Sequence, residues 1–167
     1  EFAGIRLRAF THLAPTLTED ELAETLRREP LSKIRRAALL AMNDRSMPKT
    51  AEMAAWMLER VDLPGPDRAE AAKILIDRDG AKAVATFLAL AKKRDVTPED
   101  LRFRMAMLIA DLRDDATEKK VGKLVGKGKE HEKAFALVAS SRIKDPKVQA
   151  AIRKSLDDKE DEVRRAA

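Results

Sequence analysis

The 167 residues hold two histidines, His12 and His131, and no cysteine. Without thiols there is no disulfide framework, no thiolate metal site and no thiol nucleophile. The histidines are far apart in sequence, and neither has acidic or imidazole neighbours at metal-ligand spacing. A zinc site would therefore need several carboxylates. Ser140-Ser141 falls late in an expected helix with no base nearby to activate a hydroxyl. The acidic pairs Asp114-Asp115 and Asp157-Asp158 fall at expected helix ends, where acids serve turns and caps. Gly122, Gly126 and Gly128 are spread among lysines without the spacing of a phosphate-binding loop. No catalytic residue, metal ligand or cofactor site is expected, and the chain reads as a non-enzyme.

Binding is the chemistry that remains. Charged residues make up 38% of the chain, and the net charge is +5. That balance permits an acidic partner without demanding one. Residues 119–129 contain five lysines and no acid. The hydrophobic share of 44% is enough for a packed core, so the chain is not disordered. No apolar run approaches the roughly 20 residues of a membrane span. The chain lacks a signal peptide and an initiator methionine. The expected compartment is cytoplasmic unless a targeting segment has been removed.

The elements that must position these residues are helices. The chain is rich in alanine, has five phenylalanines, one tryptophan and no tyrosine, and carries few glycines and prolines. That is a helix-forming composition with too few β-branched and aromatic residues for a sandwich or barrel. Thr18 with Glu21 makes a capping box. Ser32 precedes an apolar-periodic run. Ser46 with Pro48, Thr97 with Pro98, and Asp145 with Pro146 set a capping oxygen before a first-turn proline. About eleven short helices result, near 4–13, 19–29, 33–43, 48–61, 67–78, 81–94, 98–113, 116–127, 131–142, 146–157 and 161–167. No long polar linker interrupts them, so residues 1–167 read as one domain.

The pattern repeats. Ile5-Arg6-Leu7-Arg8-Ala9 resembles Ile34-Arg35-Arg36-Ala37-Ala38, Leu101-Arg102-Phe103-Arg104-Met105 and Val163-Arg164-Arg165-Ala166-Ala167. Weaker copies start at Arg68 and His131. Starts at 5, 34, 68, 101, 131 and 163 are separated by 29, 34, 33, 30 and 32 residues. A helix pair recurring at such a period marks an α-solenoid, in which neighbouring pairs bury the faces that one pair alone leaves open. Asp157-Asp158 before Val163-Arg164-Arg165-Ala166-Ala167 resembles the HEAT repeat in its short bacterial form. Acids also precede the motif at Glu29, Asp62 and Asp95. The resemblance covers nearly the whole chain. It implies an all-α, right-handed solenoid of about five HEAT-like (armadillo-type) hairpins and a partial sixth. It also implies an acid–arginine ladder, with Arg35 meeting Glu29 or Asp62. The copy near His131 departs from the pattern, with Val125-Gly126 where the acid should be and Glu132 where the arginine should be. The motif begins almost at residue 1 and is cut at Ala167, so the chain is expected to be a fragment of a longer protein.

In such solenoids the second helix of each pair lines a concave groove. At 100° per residue, helix 48–61 sets Ala54, Leu58 and Val61 on its apolar face and Lys49, Met53, Trp56 and Arg60 opposite. Helix 81–94 buries Val84, Leu88 and Ala91 and presents Lys82, Thr86 and Lys93. Helix 116–127 buries Val121, Leu124 and Val125 beneath Lys120, Lys123 and Lys127. Helix 146–157 buries Val148 and Ile152 and exposes Arg153 and Lys154. The expected function is a protein-interaction scaffold that takes its partner in that groove, where the lysines suit an acidic one. Met53 and Trp56 would be its anchors. The alternative is a nucleic-acid-binding solenoid using the same basic face. Some HEAT-like proteins are DNA glycosylases or phycobilin lyases, but this chain lacks an aromatic cluster around a catalytic acid.

Overall fold

The computed structural model describes residues 2–167. The fold is all-α, and the described residues contain no strand. The helices are α1 (Phe2–Leu13), α2 (Glu19–Arg28), α3 (Ser32–Asp44), α4 (Thr50–Glu59), α5 (Gly65–Asp79), α6 (Ala83–Ala91), α7 (Glu99–Leu112), α8 (Asp115–Gly122), α9 (Glu130–Ala139), α10 (Pro146–Ser155) and α11 (Asp161–Ala166). Short 3-10 turns cover Ala14–Thr16 and Gly80–Lys82. Contacts group the chain into two compact units, one running to Arg78 and one from Asp79 to Ala167. Gly80, at a φ of +52°, turns the chain just past that boundary.

Some helix starts follow their caps. The Thr18 side chain accepts from the Glu21 N–H while Glu21 accepts from the Thr18 N–H, closing the capping box of α2. Asp145 accepts from the N–H groups of Lys147 and Val148 ahead of α10. Asp114 does the same for α8 through Thr117. Three expected caps differ. Residues Leu31, Lys49 and Pro98 precede α3, α4 and α7, and none of them caps with a side chain. Ser32 lies one position inside α3 and donates to Asp67 instead.

In the first unit α3 packs against α1, α2 and α4. Its buried residues are Ile34, Arg35, Ala38, Leu39 and Met42. Arg45, just past the end of α3, donates to the carbonyls of Ala14 and Leu17. Arg78 of α5 donates to the side chain and carbonyl of Asn43. In the second unit α9 packs against α7 and α11, and more lightly against α6 and α8. Val125, Leu137 and Val163 form a cluster there, covered by Val148, Ala151 and Ile152 of α10.

Charged ties join helices within each unit. Arg35 sends Nε and Nη2 to Asp67 Oδ2 at 2.8 and 2.6 Å, and Nη1 to the Glu29 carbonyl at 2.6 Å. Both side chains are buried. Arg102 repeats the gesture, with Nη1 on the Thr97 carbonyl at 2.6 Å and Nη2 on Glu162 at 2.9 Å. Arg164 turns Nη1 to the Asp158 carbonyl at 2.8 Å. Arg6 meets Glu29 at 2.7 Å. The expected Arg35–Asp62 pairing is corrected: Asp62 binds Arg60, two residues away, and Asp67 takes Arg35. The reason is position. Asp67 lies in the first turn of α5, where the helix dipole favours an anion, whereas Asp62 stays in an exposed loop.

Candidate functional site

In the first unit the candidate surface is one flank of α4. Thr50, Met53, Ala54, Met57 and Leu58 form its buried stripe. Trp56 lies about 130° around the helix from the middle of that stripe, at 100° per residue. It is half-buried and keeps one side open to solvent. The Arg60 guanidinium sits 5.2 Å from its ring centroid, within cation–π range. Arg60 is fixed in turn by two hydrogen bonds to Asp62, Nε to Oδ1 at 2.7 Å and Nη2 to Oδ2 at 2.6 Å. These bonds hold the Asp62 carboxyl down at about 2 and raise the Arg60 guanidinium further. Val61 beside them is 57% exposed. The aromatic ring and the guanidinium over it thus form a small platform on this flank.

Two expectations for this helix are corrected. Met53, placed beside Trp56 on the groove wall, is fully buried. Val61, placed in the core, is exposed because α4 ends at Glu59. The buried stripe is rotated towards Met53 and Met57, whose long, adaptable side chains fill the core. Lys49 is exposed at the start of α4, with Nζ 2.6 Å from Asp20. A hydrogen bond to Asp20 raises its pKa, and the same bond lowers that of Asp20.

In the second unit the basic residues are exposed but not all gathered. Lys93 lines a cleft of about 570 Å³ with Lys92, Arg94, Asp95, Val96, Lys129, Glu130 and His131. Lys120, Lys123 and Lys127 are exposed on α8 and the turns that follow it, outside that lining. Lys82, Arg153 and Lys154 are exposed elsewhere on the unit. The helix expected over 116–127 ends at Gly122, and Gly126 and Gly128 adopt φ of +75° and +87°. Leu124, Val148 and Ile152, expected in the core, are half-buried; Leu88 is half-buried while Phe87 takes the interior. Lys92, Arg94 and Lys129 join Lys93 without having been singled out beforehand. The acid-free run Lys92-Lys93-Arg94 was the visible signal.

A larger cleft of about 700 Å³ lies among α7, α9 and α11. Phe103, Phe135, Val138 and Ala134 supply its apolar lining, with the Arg102–Glu162 pair among the polar groups. Phe103 is 54% exposed.

The groups weighed for chemistry are apart. His12 is exposed in the first unit. His131 is buried in the second, with Nε2 3.3 Å from the Lys92 carbonyl oxygen. Ser140 is fully buried, and its hydroxyl has no hydrogen-bond partner. Among the described residues, no three His, Cys, Asp or Glu side chains gather as a metal site. Among the described residues, no helix is long and apolar enough to cross a membrane. No family model matches the chain, and no curated protein or solved structure matches it.

Proposed function

We propose that this chain is a non-catalytic interaction module of HEAT-like helical repeats that binds a protein partner through the α4 flank. The observation that carries the reading is the Trp56–Arg60–Asp62 platform. Tryptophan and arginine dominate the energetics of protein interfaces, because both offer large, stiff contact area beside a polar handle. Here the ring is half-buried and the guanidinium already locked. The ring and the guanidinium are thus already stacked before a partner covers them.

The repeat reading is supported by what the arginines do. Arg35, Arg102 and Arg164 hold the same motif position, and each turns a nitrogen back to a carbonyl five or six residues earlier. Arg35 and Arg102 also reach an acid standing directly before a later motif copy, Asp67 and Glu162. Asp67 precedes the next copy after Arg35 and Glu162 the second copy after Arg102, so the shared feature is the carbonyl contact, which a repeated unit would produce.

The test is affinity capture from the source cell with the wild-type chain and with Trp56→Ala as paired baits. The reading expects at least one protein retained by the wild type and lost by the variant, with unchanged helicity. Identical retained proteins on both baits would overturn the role of this flank.

A further inference from the structure

We propose that the second unit binds the phosphodiester backbone of a nucleic acid, without selecting bases, at the cleft where the Lys92–Arg94 run meets Lys129. Lys129, the last lysine of the acid-free run 119–129, is far from Lys92–Arg94 in sequence, and folding brings it to the same cleft. Lys92, Lys93 and Arg94 line one part of it, and Lys129 and His131 another. His131 Nε2 lies 3.3 Å from the Lys92 carbonyl oxygen, and Arg94 lies 3.8 Å from Glu130. Like charges gathered this way repel one another, and a polyanion relieves that repulsion.

Among the described residues, Lys92, Lys93, Lys119, Lys120, Lys123, Lys127 and Lys129 form no ion pair, although all are exposed. Unpaired exposed lysines also occur elsewhere, as at Lys33 and Lys73, but the cleft gathers three of them beside Arg94. Two acids share the cleft: Glu130, which faces Arg94, and Asp95. With Lys92, Lys93, Arg94 and Lys129 against these two acids, the cleft keeps a net positive charge.

The residue types choose the ligand. Lysines are mobile point charges suited to phosphates rather than to base edges. No aromatic side chain lies among them to stack a base. An interfacial membrane site would pair the cations with exposed apolar side chains. The exposed large hydrophobics are Phe2, Ile5, Leu13, Leu40, Val61, Phe103 and Leu156, and none belongs to either basic tract. This surface is in a different unit from the α4 platform, and the inference does not depend on the protein partner proposed above.

Fluorescence anisotropy with two labelled 20-base-pair duplexes of unrelated sequence, titrated with the full chain from low to moderate salt, tests it. Both duplexes should bind equally, and log affinity should fall linearly with log salt, by about 0.9 for each phosphate neutralised. Lys92→Gln/Lys93→Gln and Arg94→Gln/Lys129→Gln should each weaken binding about tenfold and flatten the slope by about 1 to 2. Lys33→Gln/Lys73→Gln, which removes the same charge from exposed positions in the first unit, should leave both quantities unchanged. The proposal is overturned by any of three results: no duplex binding at low salt, equal weakening by the Lys33/Lys73 control, or binding to phosphatidylserine vesicles without binding to duplex. Competition by millimolar inorganic phosphate alone, as strong as by unlabelled duplex, would also overturn it, since a single-anion pocket would then suffice.

Discussion

At the residue scale the decisive group is Asp62. Its carboxyl is held at about 2, against an ordinary 3.8, chiefly by the hydrogen bond from Arg60. A depressed carboxyl favours the folded state above the unfolded-chain value, and the benefit fades as the pH falls towards the folded value. The contribution is therefore complete above about pH 4 and is lost on the way to about pH 2. The group is exposed, so the effect on global stability is small. The local effect is readable. The carboxyl carbon of Asp62 should titrate near 2 in the wild type. In Arg60→Gln it should titrate close to the ordinary value, measured by NMR. An unchanged midpoint would mean that Arg60 does not hold it and that the platform beneath Trp56 is not preset.

At the element scale the helices are joined by buried charge. Asp67 is fully buried and receives Ser32, Arg35 and Arg36. Removing one partner of such a pair strands the other in the interior, which costs about 3–5 kcal/mol. Asp67→Ala and Arg35→Ala should therefore each lower unfolding free energy by about that much in urea. Arg28→Ala, whose side chain is 80% exposed beside Glu24, should change it by less than about 0.5 kcal/mol. Equal midpoints for the three variants would show that the tie carries no stability. The glycines make a second contrast. Gly128 sits at φ +87°, and an added Cβ would come 2.8 Å from the Glu132 carboxylate, which caps α9 by accepting from the Lys129 N–H. Gly128→Ala should lower the thermal midpoint through strain and a disturbed cap. Gly4→Ala, inside α1 with open space around the site, should raise it by removing about 1 kcal/mol of helix penalty. The reverse order would contradict the backbone assignment at 128.

Sequence periodicity and caps carried the helix set, because α2 and α10 start where Thr18 and Asp145 say they must. They did not carry the rotation of α4. Its sequence is apolar nearly all round, so a stripe through Met53 and Met57 and one through Ala54 and Leu58 are both available, and only tertiary packing decides. The tie partner of Arg35 was hidden for a related reason. Glu29, Asp62 and Asp67 all stand just before copies of the recurring motif, and which of them Arg35 reaches depends on where α5 lies beside α3, not on any local pattern. The meeting of Lys93 with Lys129 depends on how α6 and α9 pack, which no local pattern encodes.

At the scale of the whole molecule, two compact units carry two different surfaces. The first offers a tryptophan–arginine platform, and the second a set of uncompensated lysines. The central claim is that the platform anchors a protein partner. Apolar anchors set the dissociation rate, and peripheral charges set the association rate. The most direct measurement is the binding kinetics of the captured partner to the wild type, to Trp56→Ala and to Lys120→Gln/Lys123→Gln/Lys127→Gln, by surface plasmon resonance. Trp56→Ala should speed dissociation at least about tenfold, the scale of an interface hot spot. The lysine variant should leave dissociation unchanged and slow association only modestly. Unchanged dissociation from Trp56→Ala, with binding abolished in the lysine variant, would contradict the account.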